Sequence, residues 1–319
     1  MSIAVATQNL SKTYQAGFWK TKSVRALENL NLEVQANEIF GYLGPNGAGK
    51  STTFKLLMSL IYPTSGKAEI FGRSVYEPKT RYQIGYLPEH PYFYEYLSAE
   101  EFLLFYGSLF DYSTLEIKTK VDHLLRLTEI FHARKLQLRR FSKGMLQRVG
   151  IAQALINDPQ IIFLDEPMSG LDPMGRREVR DLILSLKKDG KTVFFSTHIL
   201  NDVETLCDRV AVVNHGKLIG SGRLSELISQ EITHTEIIIA NMDFATLRQV
   251  LGPDVMINLG GTTLRVEVDA NRSLAPLVEH VERASGKILA INPIRQTMED
   301  YFLRVVNHDK SQGAYKSEI

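Results

Sequence analysis

Cysteine is nearly missing from this chain of 319 residues: Cys207 stands alone, so no disulfide can close within it. That suits a reducing compartment, and Cys207 reads as a small buried apolar residue. Excess charge is missing too. Lys+Arg number 37 against 36 Asp+Glu, a formal net charge of +1. A protein that grips a nucleic-acid backbone carries a clear basic excess, so nucleic acid is not the expected main partner. No apolar run approaches the roughly 20 residues that span a bilayer, and Met1–Ala6 lacks the basic start of a signal peptide. Any membrane connection is therefore expected to run through another chain. No internal repeat or low-complexity tract is visible.

What is there begins with hydrophobic content of 44%, enough for a real core, in a chain long enough for one large or two unequal domains. The stretch Gly44-Pro45-Asn46-Gly47-Ala48-Gly49-Lys50-Ser51-Thr52 has a glycine followed after four positions by Gly-Lys-Ser. It lies between an apolar run suited to a buried strand, Ile39–Leu43, and the start of a helix at Thr53–Met58. The glycines let successive N–H groups point into one concavity, and the helix N-terminus adds about half a positive charge there. A triphosphate fits that cradle, with Lys50 reaching its β- and γ-phosphates and the Ser51 hydroxyl ligating Mg²⁺.

Ile161-Ile162-Phe163-Leu164-Asp165-Glu166 is the second chemical signal. A fully apolar strand delivers two carboxylates at its carboxyl end, where doubly wound sheets hold their ligands. Asp165 is placed to hold Mg²⁺ through its hydration shell, and Glu166 to polarise a water that attacks the γ-phosphorus.

The apolar runs at 161–164 and 192–196 alternate with helices, which indicates a parallel sheet covered on both faces. Before it, antiparallel strands are expected. Ile3, Val5 and Leu10 belong to an edge strand that Ser11–Tyr14 ends, and Leu30, Leu32 and Val34 share one face of another strand. Residues 15–22 form a polar loop with the only Trp. Ser98 and Glu101 form a capping box that opens a helix, and residues 90–156 read as a helical insertion. Val210–Val213 and Lys217–Gly222 form a hairpin around Asn214-His215-Gly216. From about residue 230 the order β-α-β-β-α-β matches the split ferredoxin-like arrangement. The division expected is 1–222, 230–306 and a loose tail from 307 to 319.

Phe141-Ser142-Lys143-Gly144-Met145-Leu146-Gln147-Arg148 brings a family into view. The stretch resembles the signature segment of ATP-binding cassette (ABC) ATPases, over roughly residues 1 to 222. Its physical logic is a helix N-terminus: Ser142 caps, Gly144 allows close backbone approach, and free N–H groups face a phosphate. Leu146, Val149, Ala152 and Ile156 form the apolar stripe beneath. An ordinary capped helix without a ligand has the same local pattern.

The resemblance implies a P-loop NTPase (ABC ATPase) α/β core with antiparallel β and helical subdomains, beside the small C-terminal α+β domain. It implies ATP and Mg²⁺ as cofactors and a head-to-tail dimer. In that dimer Ser142, Lys143, Gly144 and Met145 meet the nucleotide of the partner copy. Ser169–Pro173, with Asp172, resembles the loop that crosses the dimer interface. His198, after Ser196-Thr197, resembles the switch that holds Glu166 and water in line. Tyr14 resembles the aromatic that stacks on adenine, although a strand-end tyrosine reads the same way.

Two departures stand out. Glu89 replaces the glutamine common in the family; its carboxylate can still ligate Mg²⁺ or order water, yet adds negative charge near the phosphates. Phe141, Lys143 and Met145 replace the common Leu, Gly and Gln. Such variants, and Met298–Leu303, resemble the exporter branch with separate membrane subunits, which implies a cytoplasmic location on the inner face of the membrane. Pro91–Tyr96 is dense in aromatics, suited either to docking a helix of such a subunit or to internal packing. A soluble ABC ATPase acting on nucleic acid or ribosomes is the alternative, but usually carries a long coiled coil or two cassettes. A P-loop GTPase would carry Asn-Lys-x-Asp, which is absent.

Overall fold

The computed structural model describes residues 2–16, 22–228, 232–251, 255–260 and 263–314. Most of the 15–22 loop, with the only Trp, lies outside them. The described residues fall into two compact units, the second spanning Ser225–Arg304 and the first taking the rest.

The first unit opens with β1 (Ile3–Ala16) and β2 (Lys22–Gln35), each 14 residues long. Neither expectation for β1 holds. It runs on past Tyr14, which pairs with Val24, and it lies inside its sheet, between β2 and a later strand. Asn9 and Asn29, both at φ 47°, take left-handed conformations where the β1–β2 register shifts. Asn tolerates that conformation at a bulge. Leu30, Leu32 and Val34 are buried together.

Next come β3 (Ile39–Leu43), α1 (Lys50–Leu57), β4 (Ser65–Ile70), the two-residue β5 (Arg73–Ser74), the single turn α2 (Pro78–Arg81) and β6 (Ile84–Leu87). β2-β1-β4-β5 is one antiparallel sheet. A helical segment follows, of α3 (Ala99–Gly107), α4 (Thr114–Leu127) and α5 (Lys143–Ala154). Ser98 and Glu101 close the capping box at α3: Glu101 N donates to Ser98 Oγ at 3.3 Å and Ser98 N to Glu101 Oε2 at 2.8 Å. The chain then completes the second sheet with β7 (Ile161–Leu164), α6 (Pro173–Lys188), β8 (Thr192–Thr197), α7 (Leu200–Leu206), β9 (Arg209–Asn214) and β10 (Lys217–Arg223).

That sheet has the order β10-β9-β3-β8-β7-β6, parallel except at the β9–β10 hairpin. β3, β7 and β8 are buried along their whole length, which accounts for the apolar runs in them; β8 carries buried hydroxyls at its two ends, Thr192, Ser196 and Thr197. Phe54 of α1 packs edge-on against Phe194 and Phe163, 5.0 and 5.8 Å between ring centres, in a core that includes both sheets. This packing fixes the start of α1 at the carboxyl ends of β3 and β7. Arg148 of α5 ion-pairs with Glu178 of α6 and, at 3.7 Å, with Glu129, tying the helical segment to the core.

After the turn α8 (Leu224–Leu227), the second unit holds β11 (Ile232–Ala240), α9 (Phe244–Leu251), β12 (Met256–Gly260), β13 (Thr263–Asp269), α10 (Ala275–Arg283) and β14 (Lys287–Arg295). Its antiparallel sheet has the order β12-β13-β11-β14, the ferredoxin-like order. Ile237, Ile239, Leu264 and Val266 pack with Leu247, Leu277 and Val281 of the helices. The final helix α11 (Met298–Ala314) corrects the loose tail from 307, since its first turn is capped by Thr297 and it runs on to Ala314.

Candidate active site

The loop between β3 and α1 is shaped by close packing. A Cβ on Gly44 would lie 2.4 Å from Val213 O, and Gly49 sits at φ +103° with Ala26 O 2.5 Å from where its Cβ would be. Only glycine satisfies both conditions. Thr53 is the first residue of α1 whose amide bonds the main chain, to Gly49 O at 2.9 Å, so the preceding amides are left for a ligand at the helix N-terminus. The loop opens on a cavity of about 380 Å³ lined by Ala26, Asn46, Gly47, Gly49, Lys50, Ser51, Thr52, Glu89 and Glu166. Tyr14 stands near it, with its hydroxyl 3.5 Å from Thr52 Oγ1.

Lys50 is only 6% exposed. Its ammonium donates to Gly44 O at 2.7 Å and Pro45 O at 3.2 Å, and lies 3.1 Å from Glu166 Oε1 without hydrogen-bond alignment. The other oxygen of Glu166 is 2.9 Å from His198 Nδ1. Glu166 takes φ 50°, an uncommon conformation for a non-glycine residue, at the end of β7. Its amide donates to Ser196 Oγ at 2.9 Å, and that hydroxyl donates to Asp165 Oδ1 at 2.6 Å. Ser196 thus ties the Asp165 carboxylate to the main chain of Glu166, a role that its place just before Thr197 and His198 in the sequence did not reveal. Burial pushes the Asp165 carboxyl above its usual range; the hydroxyls of Ser196 and Ser51 oppose this, while Glu89 and Glu166 add to it. Burial, then Asp165 and Glu89, raise Tyr86 to about 12.

Lys50, Ser51, Glu89, Asp165, Glu166 and His198 are therefore brought together. Residues 142–145 are not, since none of them lines this cavity. Ser142 caps α5 as expected, accepting from Met145 N at 3.2 Å. Gly144 lies open: a Cβ there would meet nothing of this chain within 4 Å. Lys143 lies instead against Gly170, where a Cβ would fall 2.1 Å from its Nζ. Asp172 caps α6, its Oδ1 accepting from Gly175 N at 2.9 Å. The aromatic run divides. Phe93 packs inward on Phe102 at 5.4 Å, whereas Tyr92 and Tyr96 are exposed. With Glu89, Lys143 and Leu146 they line a groove of about 610 Å³.

The family model described as ABC transporter matches residues 27–169. An ABC transporter ATP-binding protein of Synechocystis is 42% identical over 302 residues, covering 94% of this chain and 84% of that one. The chain belongs to the ABC transporter ATP-binding proteins. It is an ATP-binding subunit and an ATPase. The bacitracin transport ATP-binding protein BcrA of Bacillus licheniformis is 40% identical over 222 residues, 69% of each chain. Among solved structures, the dimeric ATP-binding cassette MJ0796 in a post-hydrolysis state with ADP and Pi has a TM-score of 0.63 at 28% identity, covering 69% of this chain and 98% of that one. No helix among the described residues is long and apolar enough to cross a membrane.

The residues present fit magnesium. A buried carboxylate beside a hydroxyl is a hard-oxygen set that leaves room for water and phosphate, and no cluster of three or more His, Cys, Asp or Glu among the described residues forms a closed cage.

Proposed function

We propose that this ABC subunit powers an exporter from the inner face of the membrane, with two copies closing head to tail around two ATP molecules. The series Lys50–Glu166–His198 at the mouth of the phosphate loop, its first two members buried and His198 open to solvent, carries this reading. The amides at the start of α1 cradle the phosphates. Lys50 leaves Glu166 for the γ-phosphate and neutralises its charge. Glu166 is then free to take the proton of the attacking water, as the bond from the γ-phosphorus to the bridging oxygen breaks, while His198 holds the carboxylate in line. Asp165 and Ser51, with Glu89, would hold magnesium, which when bound neutralises phosphate charge.

Ser142–Met145 at the tip of α5 complete the site on the partner copy, which accounts for the open space over Gly144. Tyr14 stacks on the adenine. Tyr92 and Tyr96 receive a helix of the membrane subunit, which presses on Glu89. The export reading is supported by similarity to the bacitracin transport protein.

Glu166→Gln keeps the phosphate contacts and removes the base. In the presence of ATP this variant is expected to elute as a stable dimer in size-exclusion chromatography with hydrolysis reduced at least ~100-fold. A variant that stays monomeric with ATP and hydrolyses it at the parent rate contradicts the reading.

A further inference from the structure

Of the carboxylates buried in the first unit, Asp165 and Glu166 belong to the site and Glu38 holds Arg209. Asp202 has no such assignment. It is 2% exposed on α7, one turn beyond His198, and its Oδ2 has no hydrogen-bond partner. An ionised carboxylate in such a place is costly unless a cation meets it. Burial is the main influence on Asp202; Arg176 and Arg180 on successive turns of α6 attract its charge, Glu166 repels it and His198 attracts it. Yet neither arginine closes an ion pair with it. Arg176 points its Nε at Leu171 O, 3.3 Å away, in the loop whose Asp172 caps α6. Asp202 thus has an unused oxygen, with the Glu166–His198 pair and two arginines within electrostatic reach, one of which is held to the loop 169–172.

We propose that Asp202 is a positioning residue. When a second copy of the chain displaces the loop 169–172, α6 carries Arg176 and Arg180 onto the carboxylate, and the closed ion pair fixes α7, and with it His198, against Glu166. The inference rests on the reading of Glu166 and His198 given above. It supplies a physical route by which dimer closure reaches the hydrolytic residues, through one packed pair of helices.

The test compares the full chain with Asp202→Asn, Arg176→Gln/Arg180→Gln and the triple variant, in ATP hydrolysis and thermal melting. Asp202→Asn is expected to lower kcat about tenfold with KM for ATP within about twofold. Its Tm is expected to hold or rise, because an unpaired buried charge has been removed. The arginine variant should show a similar loss, and the triple variant no more than either, since residues acting as one unit are not additive. Parental kcat in Asp202→Asn, losses that multiply, or a fall in activity that follows a fall in Tm overturns the proposal. Glu166→Gln measured alongside separates the two readings: if it retains turnover the site assignment fails, and if it abolishes turnover while Asp202→Asn keeps it, only the role of Asp202 fails.

Discussion

Lys50 and Glu166 neutralise each other in a site where both are less than a tenth exposed. Removing one partner of such a pair costs about 3–5 kcal/mol, because the other is left charged and uncompensated. Lys50→Met should therefore lower the Tm of the nucleotide-free protein, and Lys50→Met/Glu166→Gln should melt above the single variant even though it lacks two native groups. Thermal melting without nucleotide decides it; equal or lower melting of the double variant would show that Glu166 draws its compensation from elsewhere. The pair also explains why Glu166 can sit buried beside Asp165.

Local motifs told most of what concerns the elements, because each is a short-range demand. Gly44–Thr52, the apolar strand before Asp165 and the Ser98–Glu101 box are all settled within a few residues. What sequence order concealed are pairings across distance. β1 extends past Ser11 because β2 offers partners as far as Lys22, with Asn9 and Asn29 absorbing the slips that break simple alternation. Arg148 finds Glu178 thirty positions away, and Asp202 reads locally as an acid in the first turn of a helix until α6 is seen beside it. Glu38, between β2 and β3, is of the same kind: it accepts from Gln35 N at 2.7 Å and Arg209 Nη1 at 3.2 Å, yet burial outweighs both and raises its carboxyl above the usual range. A raised acid costs the fold stability as pH climbs from the ordinary glutamate range through the raised value, and that cost vanishes below it. The Tm of the parent relative to Glu38→Gln should consequently rise on going from pH ~7 to pH ~4. A flat difference over that range would mean that Arg209 compensates the charge in full.

At the scale of the molecule, two cores are built independently, one around Phe54 and Phe194 and the other around Ile237 and Val266. Ile237→Ala deletes fully buried atoms from the second and should cost it about 2–5 kcal/mol. Hydrogen exchange should report that loss in β11, β13 and β14, while the affinity of the first unit for ATP stays within about twofold. A matching loss of nucleotide affinity would show that the ferredoxin-like unit is energetically part of the ATPase.

Glu89 borders both the phosphate-loop cavity of about 380 Å³ and the aromatic groove of about 610 Å³. A wall shared by two chambers transmits without gearing. Whatever draws this carboxylate into one chamber withdraws it from the other by the same stroke, so occupancy of the groove and of the phosphate cavity would be coupled through a single side chain, with negative sign.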